Sequence, residues 1–118
     1  MKDELDLPLR TKQFARRIVR LYCALPKSNT VAQVLGKQAL RSGASVGSNH
    51  REAYRARSKA EFISKIGDVL KEADETLYWL ELLLEKSIIP SKRFQPLVAE
   101  ANELVATFTA ISKCSKRL

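Results

Sequence analysis

Apolar residues return every three or four positions through most of the chain, and the pattern breaks at only three places. Phe14, Ile18, Leu21 and Leu25 share one stripe between Pro8 and Pro26, which predicts a first helix over residues 9–24. Ser28, Asn29 and Thr30 offer caps for a second helix over 30–56. Ser58 with Glu61 forms a capping box, and a third helix follows over 59–86 with the stripe Phe62, Ile66, Val69, Ala73, Leu77, Leu80 and Leu84. After Pro90 a fourth helix is predicted over 91–113, with Pro96 in its first turn and Leu97, Ala101, Leu104, Phe108 and Ile111 on its seam. No stretch alternates with the period of a strand. Short connections make consecutive helices antiparallel neighbours, so the expectation is an all-α, antiparallel up-down-up-down four-helix bundle forming one domain over residues 1–118.

The polar positions are as patterned as the apolar ones. On a wheel of the second helix, Val31, Leu35, Ala39, Val46 and Ala53 gather on one side, with Asn49 at one flank and Gly43 and His50 at the other. Lys37, Arg41, Arg51 and Arg55 fall opposite, within about 80° of one another. On the first helix Lys12, Arg16 and Arg20 also lie opposite the apolar stripe. If the two helices are neighbours, these stripes merge into one basic face about 20 to 25 Å long. Two glycines inside the second helix cost about 1 kcal/mol each relative to alanine. The small-xxx-small spacing of Gly43 and Gly47 points to close helix packing as the compensation.

The third helix departs from a simple amphipathic pattern. Within LYWLELLLE, residues 77–85, Trp79, Leu82 and Leu83 are apolar yet fall off the expected stripe. A helix that is apolar nearly all round needs cover on more than one side. A second copy of the chain is the expected cover, which makes Trp79, Leu82 and Leu83 candidate oligomer-interface residues. The alternative is that Trp79 folds down over the edge of its own bundle.

Charge sharpens this picture more than overall composition does. Residues 1–57 hold twelve Lys and Arg against four Asp and Glu, whereas residues 58–118 hold nine of each, so the first half carries the whole net charge of +8. Such a half-molecule suits nucleic acid, an anionic membrane or an acidic protein, although cationic surface also serves solubility alone. Cys23 and Cys114 stand alone, which excludes a structural zinc site. The opening MKDELDLPLR has no apolar leader and no run approaches a membrane span. A cytoplasmic protein with reduced thiols is expected.

Catalytic chemistry finds little to build on. His50 is the only histidine, and Ser48 and Glu52 project from different helical faces beside it, so these three make no oriented triad. The acidic pairs Asp68/Glu72 and Glu81/Glu85 lack the Glu-x-x-His motifs of a di-metal bundle. GASVGSNH has neither the lysine nor the preceding strand of a phosphate-binding loop. No cofactor, metal or catalytic residue is expected.

Gln38, Arg41, Ser45, Asn49 and Glu52 form a Q-x-x-R-x-x-x-S-x-x-x-N-x-x-E pattern, and Glu61, Ile66 and Glu75 precede a Glu/Leu-rich stretch. In these features the chain, from about Phe14 to Ile111, resembles the 23S rRNA intervening-sequence proteins. It is similar as well to the accessory variability determinant proteins of diversity-generating retroelements. Ala53 stands where the former family usually has glycine. The resemblance implies a left-handed antiparallel bundle assembling as a homopentamer with a central channel, and a role near nucleic acid. It implies no catalytic site.

The reading that follows is a non-catalytic, basic, homo-oligomeric module that binds RNA or DNA backbone through Lys12, Arg16, Arg20, Lys37, Arg41, Arg51 and Arg55. The alternative is a protein adaptor or scaffold ring whose basic face docks a partner such as a polymerase or reverse transcriptase.

Overall fold

Asp6, Asn29 and Ser58 each set a side-chain oxygen over the first turn of a helix, where backbone N–H groups lack intrahelical partners. Asp6 Oδ1 accepts from the Leu9 amide at 3.2 Å, Asn29 Oδ1 from Ala32 at 3.0 Å, and Ser58 Oγ from Glu61 at 3.0 Å. The Glu61 carboxylate in turn accepts from the Arg57 amide, one residue further back than a capping box requires. In this computed structural model, which describes residues 6–117, these caps open α1 (Leu7–Ala24), α2 (Thr30–Tyr54) and α3 (Lys59–Glu85), and α4 spans Ser91–Arg117. Residues 1–5 and 118, counted in the single domain by the sequence reading, lie outside the described residues.

Helix ends differ from expectation for local reasons. The Asp6 cap starts α1 two residues early and takes Pro8 into the first turn, where its missing N–H leaves nothing unpaired. Pro96 lies inside α4 rather than in its first turn, and α4 runs on to Arg117. At the end of α3, Ser87 adopts φ 55°. The Ser87 amide then donates to the Leu84 carbonyl and the Ile88 amide to the Leu83 carbonyl, which is the Schellman closure, and Ile88 packs against the core.

The bundle register can be read from the contacts between helices. Along α1 and α2, Thr11 faces Gly47, Ile18 faces Gly43, and Tyr22 and Leu25 face Gly36. A Cβ at Gly43 would stand 2.8 Å from Ile18 Cγ1, so glycine there is what lets α1 approach this closely. Between α2 and α3, Arg41 reaches Glu72 and Glu75, Ser42 Oγ lies 2.8 Å from Thr76 Oγ1, and Glu52 meets Lys65. Between α1 and α4, Arg10 bonds Glu100 and Glu103, and Arg17 and Arg20 lie beside Arg93 and Phe94. In each pair rising numbers meet falling ones. Neighbours are therefore antiparallel, and the four helices form the expected up-down-up-down four-helix bundle.

The core is a run of heptad seams. In α2 the buried positions are Ala32, Gly36, Ala39, Gly43, Val46, His50 and Ala53, spaced by four and three, with Ser42 beside them. Val31, expected in the core, is exposed instead, and His50 moves from the flank into the seam. In α3 the seam is Ile66, Val69, Ala73, Thr76, Leu80 and Leu83. Leu77 and Leu84, expected at its centre, are only partly buried. A hydroxyl is tolerated at Thr76 because Ser42 and the Glu72 carbonyl lie within hydrogen-bonding distance of it.

Candidate nucleic-acid interface

The basic side chains of α1 and α2 do not form one stripe. Those that line concavities are divided between the two sides of α1.

The first lies between α1 and the C-terminal half of α2 and encloses about 390 Å³. Its cations are Lys12, Arg51 and Arg55. Thr11, Ser48, His50 and Tyr54 supply polar groups, and Pro8, Ala15, Ala44 and Gly47 supply small or apolar surface. Among the described residues no carboxylate lines it. Glu52, the nearest acid in sequence, is turned away to Lys65 of α3 at 2.6 Å. The second, between α1 and α4, is a pair of adjoining hollows: Arg16, Arg17 and Arg20 line one with Glu100, and Arg17 and Arg20 line the other with Arg93, Phe94 and Leu97 of α4. The Arg93 guanidinium stands 5.1 Å from the centre of the Phe94 ring.

Ion pairing separates these cations further. Arg41 donates to Glu75 at 2.9 Å and to Glu72 at 3.5 Å, so its charge is largely answered by α3. Arg10 is buried and held by Glu100 at 2.7 Å and Glu103 at 3.0 Å. Lys12, Arg16, Arg20, Lys37, Arg51 and Arg55 have no ion-pair partner among the described residues. Lys37 is exposed on α2 and lines neither concavity.

His50 is the unexpected member. It is 3% exposed, its ring lying 5.5 Å from Phe108 of α4 and 4.7 Å from Tyr54, and it lines the first cavity. Burial pushes its pKa below the ordinary histidine value, since the charged imidazolium would lose its hydration. Neither ring nitrogen has a hydrogen-bond partner among the described residues. A neutral imidazole carries one donor and one acceptor, and both are available here.

Residues 3–110 match the sequence pattern of the 23S rRNA-intervening sequence proteins. The chain belongs to that family. A crystal structure of a protein of unknown function from the S23 ribosomal protein family of Bacteroides thetaiotaomicron VPI-5482 has the same fold, with a TM-score of 0.82 at 40% identity, covering 90% of this chain and 97% of the other. No curated protein matches the chain.

In this 23S rRNA-intervening sequence protein the outer face of α3 is smaller than its sequence suggests. Leu83 is fully buried in the intramolecular seam and is not an interface residue, because the heptad register puts it directly below Leu80. Trp79 folds partly onto its own core, edge-on to Tyr78, and leaves its indole Nε1 buried without a partner among the described residues. Leu82 is half-buried and Tyr78 is exposed.

Among the described residues no group of His, Cys, Asp and Glu could hold a metal ion, and no helix is long and apolar enough to cross a membrane. Cys23 and Cys114 are exposed and unpaired with each other.

Sequence reasoning missed Arg17 and Arg93, which line the α1/α4 groove, and the burial of His50. The heptad of small residues in α2, with His50 seven positions after Gly43, was the signal available for the last of these.

Proposed function

We propose that this protein is a non-catalytic RNA-binding module whose phosphate contacts centre on Lys12, Arg51 and Arg55, extended by Arg16 and Arg20 across α1. One observation carries the reading: Lys12 of α1, Arg51 of α2 and Arg55 at the C-cap of α2 converge on a cavity that no carboxylate lines among the described residues, while Arg10 and Arg41 are neutralised by acidic neighbours. Phosphate neutralisation needs fixed, unanswered positive charge on a rigid face, and a helix pair supplies it. Family membership favours RNA over DNA as the nucleic acid. The non-catalytic part rests on His50, which among the described residues has no carboxylate or hydroxyl partner to orient it as a base. Self-association belongs to the same proposal, with Tyr78, Trp79 and Leu82 on the outer face of α3 as the contact. A symmetric ring, a pentamer by resemblance to the family, would repeat each basic cavity and raise avidity for a long strand.

A salt titration with a structured RNA tests the reading. Binding is expected at about 50 mM salt and should weaken by orders of magnitude toward about 200 mM. A protein that fails to bind at the lower salt, or that retains a protein partner after nuclease treatment and no RNA before it, is an adaptor instead.

A further inference from the structure

The α1/α2 cavity is more than a patch of charge. A phosphate alone would need the cations and nothing else, yet most of the wall between them is apolar or small: Pro8, Ala15, Ala44 and Gly47, with the Tyr54 ring beside them. At about 390 Å³ the space falls within the roughly 300 to 1,000 Å³ of small-ligand sites. Its floor holds a side chain that is 97% buried and unpartnered, the His50 imidazole. Its ring nitrogens are not sealed in, unlike Trp79 Nε1, so the polar edge of this otherwise buried ring opens on the cavity. The complementary ligand is a flat, largely apolar ring with hydrogen-bonding edges and a negative charge attached at its rim.

We infer that this cavity receives the base of one unpaired nucleotide of a bound strand, with the base edge on His50, a face on Tyr54 and the flanking phosphates on Lys12, Arg51 and Arg55. The inference rests on the RNA-binding reading and narrows it. Tyr54 is 62% exposed and so retains free ring surface for stacking. Paired bases remain stacked inside a duplex, so only a single-stranded or extruded nucleotide can enter. A duplex is left with the rim cations alone.

The test compares a single-stranded ten-nucleotide RNA with its fully paired duplex, using the full chain and Ala44→Phe. Ala44 is exposed on α2 and lines the cavity, so a phenylalanine there fills the space without entering the core. The single strand is expected to bind about tenfold more tightly than the duplex, since a stacked base contributes on that scale. Ala44→Phe should remove the preference for the single strand. Tyr54→Ala should reduce the preference and Tyr54→Phe should restore it. In NMR spectra the His50 ring protons should shift as the single strand is added. Equal affinity for strand and duplex, unaltered by Ala44→Phe, overturns the nucleotide pocket while leaving backbone binding intact. Absence of binding to either overturns both readings. Saturation by adenosine 5′-monophosphate with no preference for the strand also overturns the inference, because the ligand is then a free nucleotide.

Discussion

The edge of the His50 ring meets Phe108 at a centroid distance of 5.5 Å, joining the floor of the α1/α2 cavity to the core seam of α4. The site is thus backed by the buried core, and among the described residues all of its lining lies in α1 and α2 except Arg55, the C-cap of α2. What binds there meets a preformed surface.

This contact makes stability depend on pH. Burial holds the His50 pKa below its ordinary value, so the folded protein keeps the imidazole neutral where the unfolded chain begins to protonate, near pH 6.5. The unfolded state then binds the extra proton, and stability falls as pH drops through and below that range. Above it the two states carry the same His50 charge and the contribution is flat. Among the described residues the groups around the ring are Thr11, Lys12, Ser48, Arg51, Tyr54 and Arg55 from the cavity and Phe108 behind it, with no carboxylate to favour the charged form. Thermal melting at pH 7.5 and pH 5.0 should show a smaller drop for His50→Gln than for the native chain.

Gly43 should not tolerate a methyl group. Its Cβ would meet Ile18 at Cγ1, Cγ2 and Cβ, all near the stiff base of a β-branched side chain. Gly43→Ala is expected to destabilise by about 1 to 2 kcal/mol in urea titrations, despite alanine's better helix propensity. Gly67, where a Cβ meets nothing within 4 Å, supplies the control: Gly67→Ala should stabilise by up to about 1 kcal/mol.

The α1/α4 seam depends on one buried cation. Arg10 is 7% exposed and bonds both Glu100 oxygens, at 2.7 and 3.0 Å. Glu100→Ala leaves that guanidinium partly stranded and should cost about 2 to 4 kcal/mol by denaturant unfolding. Arg10→Met, which removes the charge and keeps the volume, should cost less.

Ser87 closes α3 in the left-handed region, a conformation that a Cβ disfavours. Ser87→Gly should raise stability by about 0.5 kcal/mol, the relief of strain exceeding the added freedom of the unfolded chain. Differential scanning calorimetry resolves a change of this size.

Much of the fold was legible because proline and capping side chains mark the helix limits. Asn29 and Ser58 cap where the sequence suggested, and Leu97, Ala101, Leu104 and Phe108 form the seam read for α4. The registers of α2 and α3 were harder, since small or polar residues fill seam positions that hydrophobicity alone passes over. Gly36 and Gly43 are buried because α1 comes close, and Thr76 is buried because Ser42 lies opposite. Both facts belong to neighbouring helices. The same limit applies to the site. Periodicity placed Lys12, Arg51 and Arg55 on outer faces, but only the packing of α1 against α2 brings them around one cavity. Arg41 shares their helical face, yet Glu72 and Glu75 of α3 answer its charge.

The salt dependence of RNA affinity, measured for the native chain, Arg51→Ala/Arg55→Ala and a control Lys92→Ala/Lys113→Ala, tests the central claim most directly. Each lost phosphate contact reduces the slope of log affinity against log salt by about 1. The cavity variant should lose about 2 from the slope, with weaker binding at every salt concentration, and the control should match the native chain. Native slope and affinity in the cavity variant would contradict the account.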